Sequence, residues 1–165
     1  MAEDQGISET GHEARPEQTL GEIGLWQFAP YLMNRIMGRY NANLQTAVRP
    51  QNLTTAKMRT LAVLAVVPGL TINELSVYAV IEQSTMSRTL EAMERSGLIR
   101  RETRESDARV REIYLTDAGQ SEFDAVWPIM YARYRELFTG IDDAERTAFV
   151  GTLQKVLRNV RLHDL

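Results

Sequence analysis

The chain has 165 residues, of which 25% are charged and 44% hydrophobic, and this length fits one globular domain with a sizeable core. It has no cysteine and two histidines, which excludes disulfide scaffolds, cysteine nucleophiles and thiol redox switches and leaves a metal site almost without nitrogen ligands. The net charge of −3 is uneven, since residues 1–22 carry −5 and the remainder +2. Seventeen of the 19 basic residues are arginine, which suits bidentate contact with phosphates or base edges, although a GC-rich coding bias gives the same composition.

The N-terminus has no feature of an export signal. It is acidic, where a signal peptide needs a basic start and an apolar run. The longest apolar run, residues 61–67, is too short to cross a bilayer. We therefore expect a cytoplasmic protein without a membrane partner, with residues 1–18 as a disordered acidic tail and 19–165 as a single domain.

The first part of that domain is predicted to be helical. Apolar residues recur at three- and four-residue steps and predict one helical stripe: Leu25, Phe28, Leu32, Ile36, Tyr40, Leu44 and Val48. Pro30 either begins the main helix or kinks a longer one, and Pro50 closes it. Thr54 is a plausible N-cap for a second helix, which reaches about Val67 before Pro68-Gly69 stops it.

A short helix and an amphipathic helix follow. Thr71 and Glu74 have the spacing of a capping box, and the helix that they open is expected to end near Tyr78 or Ala79. After a polar stretch, the next helix places its apolar residues on one face at i, i+4 and i+7: Met86, Leu90 and Met93. Gly97 is suited to the position just after that helix.

The pattern then changes from a period of 3.6 to a period of 2. Residues 98–103 and 110–115 read as two strands of a hairpin, and the charged residues 104–108 read as a long tip. Thr116 caps another helix with an aromatic stripe, in which Pro128 predicts a bend. Asp142 and Glu145 open a last helix with its own apolar stripe.

This order of elements is typical of a winged helix-turn-helix, whose second helix lies in the major groove of DNA. The polar residues at the start of that helix are the candidates for base readout: Gln83, Ser84, Thr85, Ser87 and Arg88. At the hairpin tip, Arg104 and Arg109 are long enough to reach a minor groove.

The central block resembles the MarR-type transcriptional regulators. The residues that carry the resemblance are Ser84-Thr85-Met86-Ser87-Arg88, Leu90, Met93-Glu94, Gly97-Leu98-Ile99, Arg101, Asp107-Ala108-Arg109 and Leu115-Thr116-Asp117-Ala118-Gly119. The resemblance implies a mainly α fold with a small β-hairpin wing. Residues 54–115 would form the winged helix-turn-helix lobe, and residues 20–50 and 117–162 would form long dimerisation helices.

The same resemblance implies a ligand-responsive regulator, more often a repressor, that binds a near-palindromic operator as a homodimer. Asp107 would orient Arg109 in the minor groove, and Thr54 and Lys57 would join the DNA contacts. Two features depart from this picture. Residues 82–112 hold equal numbers of arginines and acids, and Lys57 stands where the family often has glutamine. Lys57 either touches phosphate or is an ordinary surface lysine.

The resemblance implies no cofactor but a small aromatic or phenolic effector. Candidate lining residues are Trp26, Tyr31, Arg35, Met58, Trp127 and Tyr131. For each of them taken singly, a core or dimer contact is the favoured interpretation. An enzyme is not indicated, because the sequence has no phosphate loop, nucleophile triad or metal cluster. The neutral charge of residues 82–112 keeps open one alternative, a winged-helix interaction module that does not bind DNA.

Overall fold

We describe residues 18–160 in a computed structural model of the chain. Residues 1–17 of the predicted tail and residues 161–162 of the last predicted helix lie outside this range. The described elements, in chain order, are α1 (Leu20–Ile23), α2 (Ala29–Val48), α3 (Thr55–Val66), α4 (Ile72–Ala79), α5 (Gln83–Arg95), β1 (Ile99–Arg104), β2 (Asp107–Leu115), α6 (Asp117–Leu137) and α7 (Asp143–Val160). The predicted fold class, mainly helical with a small hairpin, is confirmed.

The N-terminal stretch is divided before its long helix begins. Thr19 and Glu22 form a capping box for α1, and Gly24, at a φ of 75°, separates that helix from a 3-10 turn at Leu25–Gln27. Pro30 lies in the first turn of α2, so it begins the helix, as one of the two alternatives predicted. The single stripe predicted from Leu25 is wrong at its start, because Phe28 is extended, with φ −86° and ψ 98°, and separates the 3-10 turn from α2.

The helix-turn-helix has the predicted caps. The Thr54 hydroxyl accepts a hydrogen bond from the backbone N–H of Lys57 at 3.2 Å. The Thr71 hydroxyl accepts from the N–H of Glu74, whose carboxylate in turn accepts from the Thr71 N–H at 2.8 Å. These bonds satisfy helix-terminal donors that would otherwise depend on water, so both helix starts are specified locally.

The wing is a tighter hairpin than the sequence suggests. β1 and β2 are antiparallel and in register from Ile99 opposite Leu115, and the pairing continues to Arg104 opposite Asp107 across an irregularity. Only residues 105 and 106 remain outside the strands, so the predicted five-residue charged tip is wrong. Both faces of the outer hairpin are solvated, and charged side chains there are therefore compatible with strand pairing.

One hydrophobic core joins the lobe to α6 and to the end of α2. Its buried apolar side chains are Leu44, Val48, Leu53, Met58, Leu61, Leu64, Leu70, Leu75, Ala79, Met86, Leu90, Met93, Leu98, Ile99, Ile113 and Val126. The three predicted apolar positions of α5 are all among them. Leu70 also pairs with Ile113 through a short backbone bridge, which fixes the wing to the chain before α4.

The two C-terminal helices differ in how they pack. Thr116 caps α6 as predicted, and α6 buries Gly119 and Val126 and remains one helix past Pro128. Asp142 and Glu145 form the expected cap of α7 through two backbone-to-carboxylate bonds. Yet α7 buries none of its own side chains.

Candidate nucleic-acid interface

The start of α5 presents short polar side chains to solvent. Gln83, Ser84, Thr85 and Arg88 are exposed, whereas Ser87 is half-buried. The Gln83 side chain donates to the Asn73 side chain at 2.6 Å, and this hydrogen bond links α5 to α4. This is the arrangement that a recognition helix needs, because its N-terminal residues must reach base edges while its apolar face stays in the core.

An acidic cap stabilises this polar end. The Glu82 carboxylate accepts hydrogen bonds from the Thr85 backbone N–H at 3.1 Å and from the Ser84 hydroxyl. These bonds, led by that from Ser84, lower the pKa of Glu82 below its ordinary value of 4.5. The carboxylate also complements the positive end of the helix dipole. Glu82 therefore orders the segment that would carry base readout, but it adds a negative charge there.

Four of the predicted DNA contacts meet at one recess. A surface cavity of about 330 Å³ is lined by residues from the start of α3 and from α5: Thr54, Lys57, Thr85, Arg88, Thr89, Ala92, Met93 and Ser96. Lys57, however, already forms an ion pair with Glu122 of α6, with Nζ and Oε1 2.6 Å apart. That pair joins α3 to α6.

At the wing tip, Asp107 holds Arg109. One oxygen of Asp107 accepts from the Arg109 backbone N–H at 3.0 Å and from its Nε at 3.2 Å, and the other accepts from the guanidinium at 3.4 Å. These bonds, the backbone one first, lower the pKa of Asp107 below its ordinary 3.8. The Arg109 side chain is nonetheless 91% exposed. The tip therefore presents one oriented, solvated guanidinium.

Arg104 has a different environment. Its Nε lies 2.5 Å from the Glu112 carboxylate, whose other oxygen accepts from the Tyr114 hydroxyl at 2.9 Å. These two hydrogen bonds lower the pKa of Glu112. Arg100 stacks over the Tyr114 ring with its guanidinium carbon 4.8 Å from the centroid. The Arg104 guanidinium is thus paired across the wing with Glu112, whereas that of Arg109 pairs with Asp107 of its own strand.

The candidate effector residues near the N-terminus form one local group. The rings of Trp26 and Tyr31 meet edge to face with centroids 6.0 Å apart. Arg35 donates to the Tyr31 hydroxyl at 3.2 Å. Trp26 is 75% exposed, so this group combines an accessible indole, a phenol and a cation on consecutive turns.

The remaining effector candidates lie in the compact unit that begins at Arg39. Met58 lies in the hydrophobic core of the lobe, which matches the core alternative for that residue. Trp127 and Tyr131 lie 5.6 Å apart, centroid to centroid. They belong to a continuous aromatic row along α6 and onto α7: Phe123, Trp127, Tyr131, Tyr134, Phe138 and Phe149.

Two residues with structural importance were missed in the sequence. Glu112 pairs with Arg104, and Arg59 of α3 bonds to two other segments. The alternation of charges along the hairpin is a weak signal for the first contact. Nothing local to residue 59 indicates the second, since its partners are 18 to 21 residues away in sequence.

Two other kinds of feature are absent from residues 18–160. None of the helices there has the length and apolar character of a bilayer span. Within the same range, no three histidine, aspartate or glutamate side chains are grouped as metal ligands would be.

Known proteins resemble this chain in sequence and in fold. The sequence profile of the MarR family matches residues 51–110. A solved MarR family transcriptional regulator from Silicibacter pomeroyi is 49% identical, with a TM-score of 0.84 over 90% of this chain and all of that one. The repressor CouR, solved bound to a 23-mer DNA duplex, is 26% identical, with a TM-score of 0.68 over 85% of this chain and 98% of that one.

A more distant structure shows the fold alone. It is that of Bordetella bronchiseptica BpsR, whose DNA binding is regulated by 6-hydroxynicotinic acid. It is 23% identical, with a TM-score of 0.67 over 78% of this chain and 97% of that one.

Proposed function

The chain belongs to the MarR family of transcriptional regulators, which are DNA-binding proteins and not enzymes, and from that premise we propose that it is a ligand-responsive repressor. It binds a near-palindromic operator in the cytoplasm as a homodimer. Its recognition helix α5 reads the major groove, and Arg109 of the wing enters the flanking minor groove. In this proposal the side chains of α5 determine sequence specificity, and contacts from the whole lobe contribute to affinity.

The observation that carries the proposal is the geometry of Asp107 and Arg109. The Arg109 side chain is 91% exposed, yet its guanidinium donates two hydrogen bonds to the Asp107 carboxylate and its backbone N–H donates a third, which limits the rotamers that binding would have to fix. As an ion pair in isolation it would add almost nothing to stability. Its position at the tip of the wing, which follows the polar helix α5 in the chain, supports a role in binding. The likeness to CouR, which was solved on DNA, supports the same conclusion.

The dimer is supported by the apolar surface of the C-terminal helices. Leu157 and Val160 are 60% and 68% exposed, although they belong to a regular amphipathic helix. A second copy related by a two-fold axis would cover them and would place two recognition helices about 34 Å apart.

The proposed effector is an aromatic acid that binds at the N-terminal group formed by Trp26, Tyr31 and Arg35. The exposed Trp26 can stack on an aromatic ring, and Arg35 can pair with a carboxylate. The report that 6-hydroxynicotinic acid regulates BpsR supports this class of ligand. A thermal-shift screen with aromatic acids, followed by release from bound DNA, tests it.

The central experiment is fluorescence anisotropy with a labelled duplex from the region upstream of the gene itself. Wild type should bind this duplex more tightly than a scrambled one of equal length. Arg88→Ala should cost about 1–3 kcal/mol and relax the preference at one base pair in each half-site. An equal loss on all sequences would make Arg88 a phosphate contact.

Binding of neither duplex at low salt would contradict the proposal. It would favour the alternative, a winged-helix interaction module, which the charge balance of residues 82–112 supports. The electrostatic part of DNA binding is strongest at low salt, so the measurement is most sensitive under those conditions.

A further inference from the structure

The turn between α4 and α5 has an unusual backbone. Val80 adopts a left-handed conformation with φ 53° and ψ 54°. This region is unfavourable for a β-branched residue, and such a conformation persists only when the surrounding structure holds it. The Val80 side chain is 79% exposed, so its own packing does not supply that restraint. Some other contact must stabilise the turn that leads into the recognition helix.

The backbone of the turn supplies part of the restraint. The N–H of Ile81 donates to the Ser76 carbonyl at 3.0 Å, and the N–H of Val80 donates to the Val77 carbonyl at 3.2 Å. These bonds close the end of α4. They use carbonyls of the helix interior and leave those of Ala79 and Val80 to accept from elsewhere.

Arg59 of α3 donates to both of these carbonyls. One guanidinium nitrogen lies 3.4 Å from the Ala79 oxygen and 3.3 Å from the Val80 oxygen. A cation at this place also complements the negative end of the α4 dipole. The contact is therefore favourable in charge as well as in geometry, and it acts on the residue with the unfavourable φ.

The same guanidinium reaches a third segment. Its other nitrogen donates to the Asn41 side chain of α2 at 3.2 Å, in a partly buried position. Burial raises the pKa of Tyr40, which lies beside Asn41, and the positive charge of Arg59 partly offsets this rise. Because the guanidinium is planar and rigid, a bond on one side fixes the direction of the donors on the other. Arg59 thus connects α2, α3 and the turn.

We propose that Arg59 is a positioning residue for the recognition helix: it holds the left-handed turn at Val80 and so fixes the direction in which α5 leaves that turn. The inference rests on the proposed function, because its consequence is DNA affinity. Arg59 acts through the turn and not by touching DNA. The anchor at Asn41 makes α2 the reference against which the turn is held.

The test is a double-mutant cycle on the full-length protein. Arg59→Met keeps a long side chain but removes the donors, and Val80→Gly removes the cost of the left-handed conformation. Each single variant, the double variant and wild type are measured by anisotropy on the labelled upstream duplex. Hydrogen exchange of a peptide covering residues 78–83 is followed for the same four proteins.

The two single variants are expected to act in opposite directions. Arg59→Met should weaken DNA binding about three- to tenfold and speed exchange in residues 78–83. Val80→Gly should raise Tm by about 2–4 °C, because glycine adopts the left-handed conformation freely. In the Val80→Gly background, Arg59→Met should lose less than half as much affinity, since the turn no longer needs to be held.

Two further variants calibrate the cycle. Asn41→Ala removes one anchor of the guanidinium and should give a smaller loss than Arg59→Met. Arg158→Met makes the same chemical change in the last turn of α7 and should leave the exchange of residues 78–83 unchanged. Should Arg59→Met fail to fold, Arg59→Lys is measured in the same cycle, because it keeps the positive charge but lacks the planar guanidinium that donates to the turn and to Asn41 together.

Unchanged exchange of residues 78–83 in the Arg59 variant would overturn the inference. An equal affinity loss with valine and with glycine at position 80 would do the same, because Arg59 would then act independently of the turn. Failure of wild type to bind the duplex would instead contradict the proposed function. The exchange and Tm comparisons, which need no DNA, would then decide the role of Arg59.

Discussion

The helices α5 and α7 are both regular and amphipathic, yet they bury very different amounts of surface. The apolar residues of α5, Met86, Leu90 and Met93, are no more than 2% exposed, whereas no residue of α7 is fully buried and Leu153 is half-buried. An apolar stripe therefore indicates a face suited to packing, but not whether the partner lies in the same chain. For α5 the partner is the lobe's own core, and for α7 we propose a second copy.

The largest effect is expected from a charge in the stripe of α7. Leu153→Asp would place a carboxylate without a partner in the proposed interface, at a cost of roughly 4 kcal/mol or more. Sedimentation should show monomer or aggregate, and DNA binding should fall steeply because each monomer holds one half-site. The neighbouring Gln154→Asp is the control. A folded, stable Leu153→Asp dimer would show that α7 is not the interface.

Alanine substitutions at two glycines test how tightly the lobe and α7 are packed. A Cβ at Gly119 would lie 2.0 Å from the Leu98 carbonyl oxygen, which is backbone and cannot rotate away. Gly119→Ala should therefore destabilise the lobe by about 3 kcal/mol in denaturant unfolding.

Gly151 of α7 supplies the matched comparison, since a Cβ there meets nothing within 4 Å in its own chain. Gly151→Ala should gain about 0.5–1 kcal/mol through helix propensity. If Gly151→Ala instead dissociates the dimer, a partner helix packs directly against that position. Equal losses for the two variants would contradict the contrast between the lobe and α7.

Within the lobe, two wing arginines should behave differently. Arg109→Ala should lower affinity on all sequences and reduce the salt dependence of binding by about one counterion, because it removes the contact with DNA that we propose for this exposed guanidinium. Arg104→Ala should leave that salt slope nearly unchanged, because Arg104 is already paired with Glu112. Asp107→Ala should have an intermediate effect through loss of orientation. Anisotropy across a salt series measures all three.

A small effect is expected at the cap of α4. Hydrogen bonds from the Thr71 backbone and hydroxyl lower the pKa of Glu74 from its ordinary 4.5, so its ionised form stabilises the folded state. Glu74→Gln should cost about 1 kcal/mol at neutral pH. The difference in the free energy of unfolding between wild type and this variant should have its maximum value above pH 4.5 and should disappear as the pH falls through the lowered pKa of Glu74. Urea unfolding at several pH values measures it, with the exposed Glu91→Gln as control.

Much of the fold could be predicted because its signals are local. The hydroxyls of Thr54, Thr71 and Thr116 each cap the N–H three residues ahead, so the start of a helix depends on four consecutive residues. The buried face of α5 follows in the same way from spacing alone. The hairpin was predicted in type but not in length, since the pairing of Arg104 with Asp107 depends on an irregularity that alternation does not reveal.

By itself, then, the sequence determined where α3, α4, α6 and α7 begin, which face of α5 is apolar and that a wing follows the helix-turn-helix. Only the tertiary structure decided the partners of the long charged side chains. Lys57 meets Glu122, and Arg59 meets Asn41 and the turn at Val80, across 18 to 65 residues of chain. A cap is settled by bonds within one turn of helix, whereas these contacts exist only because packing of the common core brings distant segments together.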